Sequence, residues 1–422
     1  MAQPRPDGYI SPLETMDPRE RRDRKRRQLL EHLARAHAGS AEFRDRLARA
    51  GIDVADVRTF EDFEAIPVLR KKDLIAVQGS GKRLGGLLAR DFGTLRRVYQ
   101  SPGPIYDPEG RDRDYWGFTE AFYAAGFRPG DLVQMTFSYH LTPAGHMLEE
   151  PLREIGCAVI PAGPGNTEKQ IELLTTLPVT GFVGMASYLR VIGEKARAAG
   201  YDLAKDMGLA VAFVAAERLT ESLRAEVERD FGITVRQGYG TADVGCIAYE
   251  CRELGGMHVT SRGVVEICDP ETGLAVPVGE TGEVVFTPFC DAYPLVRLAT
   301  GDLSRFVTEP CPCGRTSRRL AGILGRVDDT AKVKGQFIYP AQAAEVAARF
   351  PGIAGFRIVV DNPGGRDTLS VELSLRDQVD ASAFAAAFQD RLKLRPQVVL
   401  LPEGEALPPG GPLLVDRRRY ED

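Results

Sequence analysis

Four side chains with metal-ligand chemistry fall in two short stretches: Cys251 and His258 within 250–258, and Cys311 and Cys313 in a Cys-Pro-Cys-Gly run ending at Gly314. Two nitrogen or sulfur ligands from each of two loops make the count for a closed tetrahedral zinc site. The prolines and Gly314 favour the tight turn that lets both thiolates face one ion. With no open position, such a metal staples loops and performs no chemistry. Unliganded thiols are the alternative reading, since the spacing departs from that of zinc ribbons. Cys246 is a reserve ligand, and Cys157, Cys268 and Cys290 sit in apolar, strand-like context and read as core.

A second group of residues has the chemistry of ligand binding. The stretch 299–339 holds a Gly301-Asp302 turn and Gly325-Arg326-Val327-Asp328-Asp329, at a point where composition and pattern both change. This predicts a ligand-contacting joint between a large domain and a small one. Upstream, four polar or glycine-rich loops follow predicted strands: 138–140 (Ser-Tyr-His), 163–167, 215–218 (Ala-Ala-Glu-Arg) and 237–243 (Gln-Gly-Tyr-Gly-Thr-Ala-Asp). Together they could line one crevice with a stacking ring, a hydroxyl and a carboxylate, which would suit a nucleotide and its metal. The run 99–106 has the small residues of a phosphate loop, but its two prolines each remove an N–H donor and it has no lysine, so it reads as a turn. His32 and His37 read as surface residues of a helix, and His146 as packing beside Tyr139 and His140.

The elements that must position these residues are legible from periodicity. Residues 17–50 read as helical, with Gly51 as a stop. From 115 to 300, apolar runs at 132–137, 158–161, 181–184, 209–214 and 234–236 alternate with helices at 118–125, 147–155, 171–177 and 188–199. That pattern predicts an α/β fold with a largely parallel sheet, whose ligands sit beyond the carboxyl ends of the strands. Alternating strands at 264–267, 282–286 and 295–298 predict an antiparallel subdomain. The last stretch reads as a small α+β unit. The expected domains are therefore 1–324, a large sheet-built body, and 325–422, a small mobile cap.

Composition bounds the rest. The 422 residues are 43% hydrophobic and 27% charged, and 54 basic against 59 acidic side chains give 54 − 59 = −5. A mild acidic excess argues against a duplex nucleic-acid binder. Residues 19–27 are the local basic exception, but they interleave with acids and read as a solvated helix face. No apolar run approaches the ~20 residues of a membrane span, no signal-peptide core is present, and the odd cysteine count suits thiols, so a cytoplasmic protein is expected.

GRVDD at 325–329, the Arg-x-x-Thr-Gly-Asp of 297–302 and Gly238-Tyr239-Gly240-Thr241 resemble, in order and spacing, the adenylate-forming acyl-CoA ligases. Within that superfamily the chain is most similar to the phenylacetate-CoA ligase branch. The run 160–170, Ala215-Ala216-Glu217, Phe43-Arg44 and Ile66-Pro67 through Lys71-Lys72-Asp73-Leu74 support the placement. The resemblance implies ATP or AMP with Mg²⁺, coenzyme A, and a small carboxylic acid, aromatic by family, or an acyl thioester. It implies that Asp302 holds the ribose, Tyr239 stacks on adenine beside Ala216, Glu217 and Gly240, and Thr241 bonds the α-phosphate. Asp243 stands for a magnesium-binding Glu, Arg326 lies near the nucleotide, Asp328 is the hinge, and Lys334 with Gly335 guides the thiol. Tyr139, His140 and Gly238 shape the acyl pocket.

Two features depart from that family. The phosphate loop lacks its lysine, and the C-terminal catalytic lysine has no counterpart at 407–414, where Arg417 to Arg419 are the nearest cations. The sequence therefore supports an acid–thiol ligase first. An adenylation-deficient acyltransferase working between coenzyme A and a carrier protein or amine comes second, and a nucleotide-binding pseudoenzyme third. Oligomeric state, including a homodimer, is left open.

Overall fold

The structure, a computed structural model, describes residues 5, 8–101, 103–327, 331–334, 336–338, 340–402, 405, 407–408 and 412–419. The chain divides into two compact units, Met1–Gly325 and Arg326–Asp422.

The first unit opens with helices Pro18–Gly39 and Ala41–Ala50. The single helical stretch expected over 17–50 is split by Ser40, which takes extended backbone angles and whose hydroxyl accepts from Phe43 N at 3.2 Å as an N-cap. Gly51 ends the second helix at φ 68, a left-handed stop. His32 corrects the surface reading: it is 0% exposed and packs 5.8 Å from the Phe289 ring. Leu29, His32, Leu33 and Ala36 form one stripe at helical spacing, and that stripe faces inward as a whole.

Strands follow in chain order: β1 (Leu69–Arg70), the hairpin β2 (Arg97–Ser101) and β3 (Ile105–Glu109), then β4 (Leu132–Met135), β5 (Ala158–Pro161), β6 (Gly181–Gly184), β7 (Val211–Val214) and β8 (Thr234–Thr241). After these come β9 (Gly245–Glu250), β10 (Met257–Val259), β11 (Gly263–Cys268), β12 (Gly282–Pro288), β13 (Leu298–Ser304), β14 (Phe306–Val307) and β15 (Arg319–Leu320). The main sheet runs β14-β15-β10-β9-β8-β7-β6-β4-β5. Its β5-β4-β6-β7-β8 portion is parallel, with helices Ala144–Ile155, Thr167–Thr176, Ala186–Ala198 and Glu221–Phe231 as crossovers. Strands β6 and β7 are buried at every position, as a parallel sheet covered on both faces requires.

The second sheet runs β1-β13-β12-β11. The strand expected at 295–298 begins only at Leu298. The backbone before it turns, with Leu295 N bonded to Tyr293 O and Arg297 at φ 53. The turn expected at 99–106 is instead the tip of the β2–β3 hairpin, in which Ser101 pairs with Ile105 and Tyr99 with Asp107.

The second unit has its own core. Strands Ile353–Asp361, Thr368–Leu375, Gln397–Leu400 and Leu414–Asp416 form a sheet, over which helix Ala381–Leu392 seats Phe384 and Phe388 against Ile358 and Val371. Among the described residues no helix is long and apolar enough to cross a membrane.

Candidate functional site

Parallel strands end together, so the loops after β6, β7 and β8 form one edge of the sheet. After β7, Ala216 adopts φ 73, a left-handed angle that costs a non-glycine residue of order 1 kcal/mol or more and turns the chain sharply. Glu217 beside it accepts from Ser187 N at 2.8 Å and from Ser187 Oγ at 2.6 Å, so its carboxylate sits at the start of helix Ala186–Ala198, where the helix end favours an anion. Gln237 donates to Glu217 O at 2.8 Å and fixes the loop to β8.

The loop expected after residue 236 is strand: β8 continues to Thr241, with a bulge between Tyr239 and Gly240 where it pairs with β9. The glycines are there for packing. A Cβ on Gly238 would lie 2.2 Å from the Phe213 ring, and one on Gly240 2.4 Å from Gly245 O. The bulge aims Tyr239 across to the second sheet, where its hydroxyl donates to Asp302 Oδ2 at 2.9 Å and lies 3.2 Å from Thr300 Oγ1. Asp302 itself is held by its own N–H donating to Thr300 Oγ1, and Gly301 N donates to Glu283 Oε1 at 2.9 Å. Arg297 of the same motif is a buried strut, 1% exposed and paired with Glu266 at 2.9 Å. Burial drives the Glu266 carboxyl up to about 7, although Arg297 opposes the shift.

At the end of β8, Thr241 Oγ1 is buried without a hydrogen-bond partner. Two residues on, the Asp243 side chain is 0% exposed and sits 2.6 Å from Lys71 Nζ. Asp107, on the inward face of β3, is also 0% exposed and neither of its oxygens makes a hydrogen bond of ordinary geometry. Burial, then the Asp243 charge, holds its carboxyl well above the usual carboxylate range, with Ser101 and Lys71 acting the other way. Sequence reasoning missed Asp107 and left Lys71 without a role; neither carries a local motif.

Tyr139 donates to Glu149 Oε2 at 2.7 Å and stacks edge-on to His146 at 5.0 Å, as expected for His146. His146 lies 5.9 Å from the Tyr99 ring, and Tyr99 lies 6.4 Å from Trp116, so an aromatic row runs inward from this loop. His140 is exposed. In the second unit, Lys334 is an exposed turn residue at φ 47 whose N–H faces Asp367, and Arg326 is that unit's first residue. Asp328 and Gly335 lie outside the described residues. A separate cleft of about 570 Å³, at the opposite ends of β7 and β8, is lined by Arg5, Tyr9, Arg128, Arg236 and Arg315 and includes none of these side chains.

The metal quartet assembles as the sequence suggested. Cys251 follows β9, His258 lies on β10, and Cys311 and Cys313 lie between β14 and β15; β10 pairs with both β9 and β15. Their ligand atoms all fall within 4.8 Å of one another, with Cys251 Sγ to Cys311 Sγ at 3.6 Å and Cys313 Sγ to His258 Nε2 at 3.3 Å. Ligands ~2.0–2.3 Å from one tetrahedral ion are separated by about 3.5–3.8 Å, so the quartet has the right size. Ser317 Oγ, 3.2 Å from His258 Nδ1, orients the ring from behind. Cys246 is not in the cluster.

No family model matches the chain. It is 30% identical to a phenylacetate-coenzyme A ligase of Thermus thermophilus over 94% of this chain and 96% of that protein. It is 29% identical to one of Escherichia coli over 87% and 85%. Among solved structures, 2-hydroxyisobutyryl-CoA ligase in complex with 2-HIB-AMP and CoA superposes with a TM-score of 0.91 at 25% identity, covering 98% of this chain and 93% of the other. Likeness of 30% identity along nearly the whole length of both chains shows the family: the chain belongs to the phenylacetate-CoA ligases of the adenylate-forming acyl-CoA ligase superfamily.

Proposed function

We propose that this enzyme activates a carboxylic acid, of aromatic class, with ATP and Mg²⁺ as an acyl adenylate and then transfers the acyl group to coenzyme A. The observation that carries this reading is the Tyr239–Asp302 hydrogen bond, which joins the two sheets where Thr241 ends β8. Asp302 Oδ1 would take the ribose hydroxyls while Tyr239 fixes the other oxygen. The orphaned Thr241 hydroxyl would donate to the α-phosphate, a group that satisfies it. Asp243 supplies a hard oxygen ligand, which fits Mg²⁺.

The short loop at 101–105 offers few N–H donors to the outgoing pyrophosphate, and the Lys71 ammonium beside Asp243 is the cation placed to compensate. The row of Tyr139, His146, Tyr99 and Trp116 supports an aromatic acid, since aromatic side chains attract another ring in offset or edge-on contact. Lys334 would guide the thiol, with the second unit turning about Asp328 between the two half-reactions. A zinc ion in the Cys251–His258–Cys311–Cys313 quartet would hold the end of the main sheet. A cytoplasmic site of action, where ATP and coenzyme A are available, belongs to the same reading.

The ligase reading is favoured over acyl transfer without adenylation and over a pseudoenzyme by likeness that spans both units. The test is acid-dependent exchange of pyrophosphate into ATP across a panel of aryl and alkyl acids, followed by thioester formation on adding coenzyme A. Absence of exchange with every acid would overturn it.

A further inference from the structure

Near Asp243 lies one more buried carboxylate than the reading above uses. Asp107 comes from β3, on the short hairpin whose sequence over 99–106 carries no lysine. Cross-strand pairing with Tyr99 sets it on the hairpin's inward face, along with Ser101. Its side chain is 0% exposed, without a hydrogen bond of ordinary geometry at either oxygen. The charges facing it are Asp243 and Lys71, and the surrounding hydroxyls are those of Ser101 and Tyr293. Tyr293 is already engaged, its hydroxyl accepting from Gln78 Nε2 at 2.7 Å.

Two buried carboxylates therefore share one ammonium, which lies 2.6 Å from Asp243. With both carboxylates ionised this arrangement is one positive charge short; burial and then this shortage are why Asp107 resists ionisation while Lys71 is the cation beside them. A hard divalent cation with two carboxylate oxygens and water as ligands supplies the missing charge.

We propose that Asp107 and Asp243 together form the divalent-cation seat of this enzyme, and that Lys71 occupies it until the metal enters. Displaced from Asp243, the Lys71 ammonium becomes available to a phosphate. Protein carboxylates on both sides of the ion then do part of the positioning that the short loop cannot. The proposal rests on the ligase reading for the metal's purpose, but its own claim concerns binding alone.

The experiment is titration of the full-length protein with Mn²⁺ in the absence of nucleotide and acid, following free Mn²⁺ by electron paramagnetic resonance. One site is expected. Asp107→Asn and Asp243→Asn should each weaken it by ~10-fold or more, because each removes a charged ligand. Lys71→Met should tighten it several-fold by removing the competing cation. A merely structural Asp107 would leave Mn²⁺ affinity unmoved.

Equal affinity in wild type and Asp107→Asn, or no gain in Lys71→Met, overturns the proposal. If Asp107→Asn fails to fold by circular dichroism, Asp107→Glu takes its place, with a changed affinity expected and an unchanged one overturning the idea. Because no substrate is present, a ligase can fail this test and a non-ligase can pass it, so the two readings fall separately.

Discussion

In the ligase reading Asp302 accepts from Tyr239 with one oxygen and from the ribose with the other, so its removal should be felt by the nucleotide. Asp302→Ala should raise the KM for ATP in pyrophosphate exchange by roughly 10–100-fold, the value of hydrogen bonds to a charged group, with a smaller change in melting temperature. Tyr239→Phe keeps the ring but removes the donor at 2.9 Å and should cost about tenfold in the same assay.

His32 makes a different prediction, one of stability. Burial pushes its imidazole from 6.5 down to about 4, against a weaker opposing effect of Asp291. Between those values the unfolded chain binds a proton that the folded one refuses, so this residue's contribution is intact above pH 6.5 and is lost as the pH falls towards 4. The loss reaches about 3 kcal/mol. The unfolding free energies at pH 7.5 and 4.5, from urea titration, should differ by close to that much less in His32→Leu than in wild type, and an unchanged difference would refute the assignment.

At the scale of elements, β8 is the strand on which most of the site depends, and it is fixed from three sides. Phe213 lies under Gly238, β9 crosses at Gly240, and Arg224 makes a two-pronged ion pair with Glu250, at 2.7 and 3.0 Å, while Gln237 N donates to the same carboxylate. Gly238→Ala should therefore destabilise the protein by ~1–3 kcal/mol through overpacking, measured by chemical denaturation. It should impair ATP binding as well, because Tyr239 follows directly.

A zinc ion in the Cys/His quartet would act on the same strand from further away, since Cys251 continues β9, the antiparallel neighbour of β8. One zinc per chain is expected by atomic absorption. Cys311→Ser, or chelation, should lower the melting temperature by roughly 5 °C. A metal content of zero in freshly purified protein with unchanged stability after chelation would refute the staple.

For the whole molecule, the two units each close a hydrophobic core, one over the paired sheets of Met1–Gly325 and the other around Phe384 and Phe388. A fragment ending at Gly325 should therefore unfold cooperatively by itself, and calorimetry of the full chain should show two transitions.

What the sequence determined alone was whatever repeats locally or stands in a motif. The strand 181–184 matches its observed bounds because burial on both faces leaves an unbroken apolar run, and the apolar run 158–161 matches too although that strand lies half-buried at the sheet's edge. Cys251, His258, Cys311 and Cys313 were legible as one group because two short runs each carry a pair of nitrogen or sulfur ligands. Tertiary structure alone decided the rest: the burial of His32, the hairpin at 97–109, the start of β13 at Leu298, and the meeting of Lys71, Asp107 and Asp243. These depend on contacts between segments far apart in the chain. A lone lysine or aspartate has no period to announce which distant segment will fold against it.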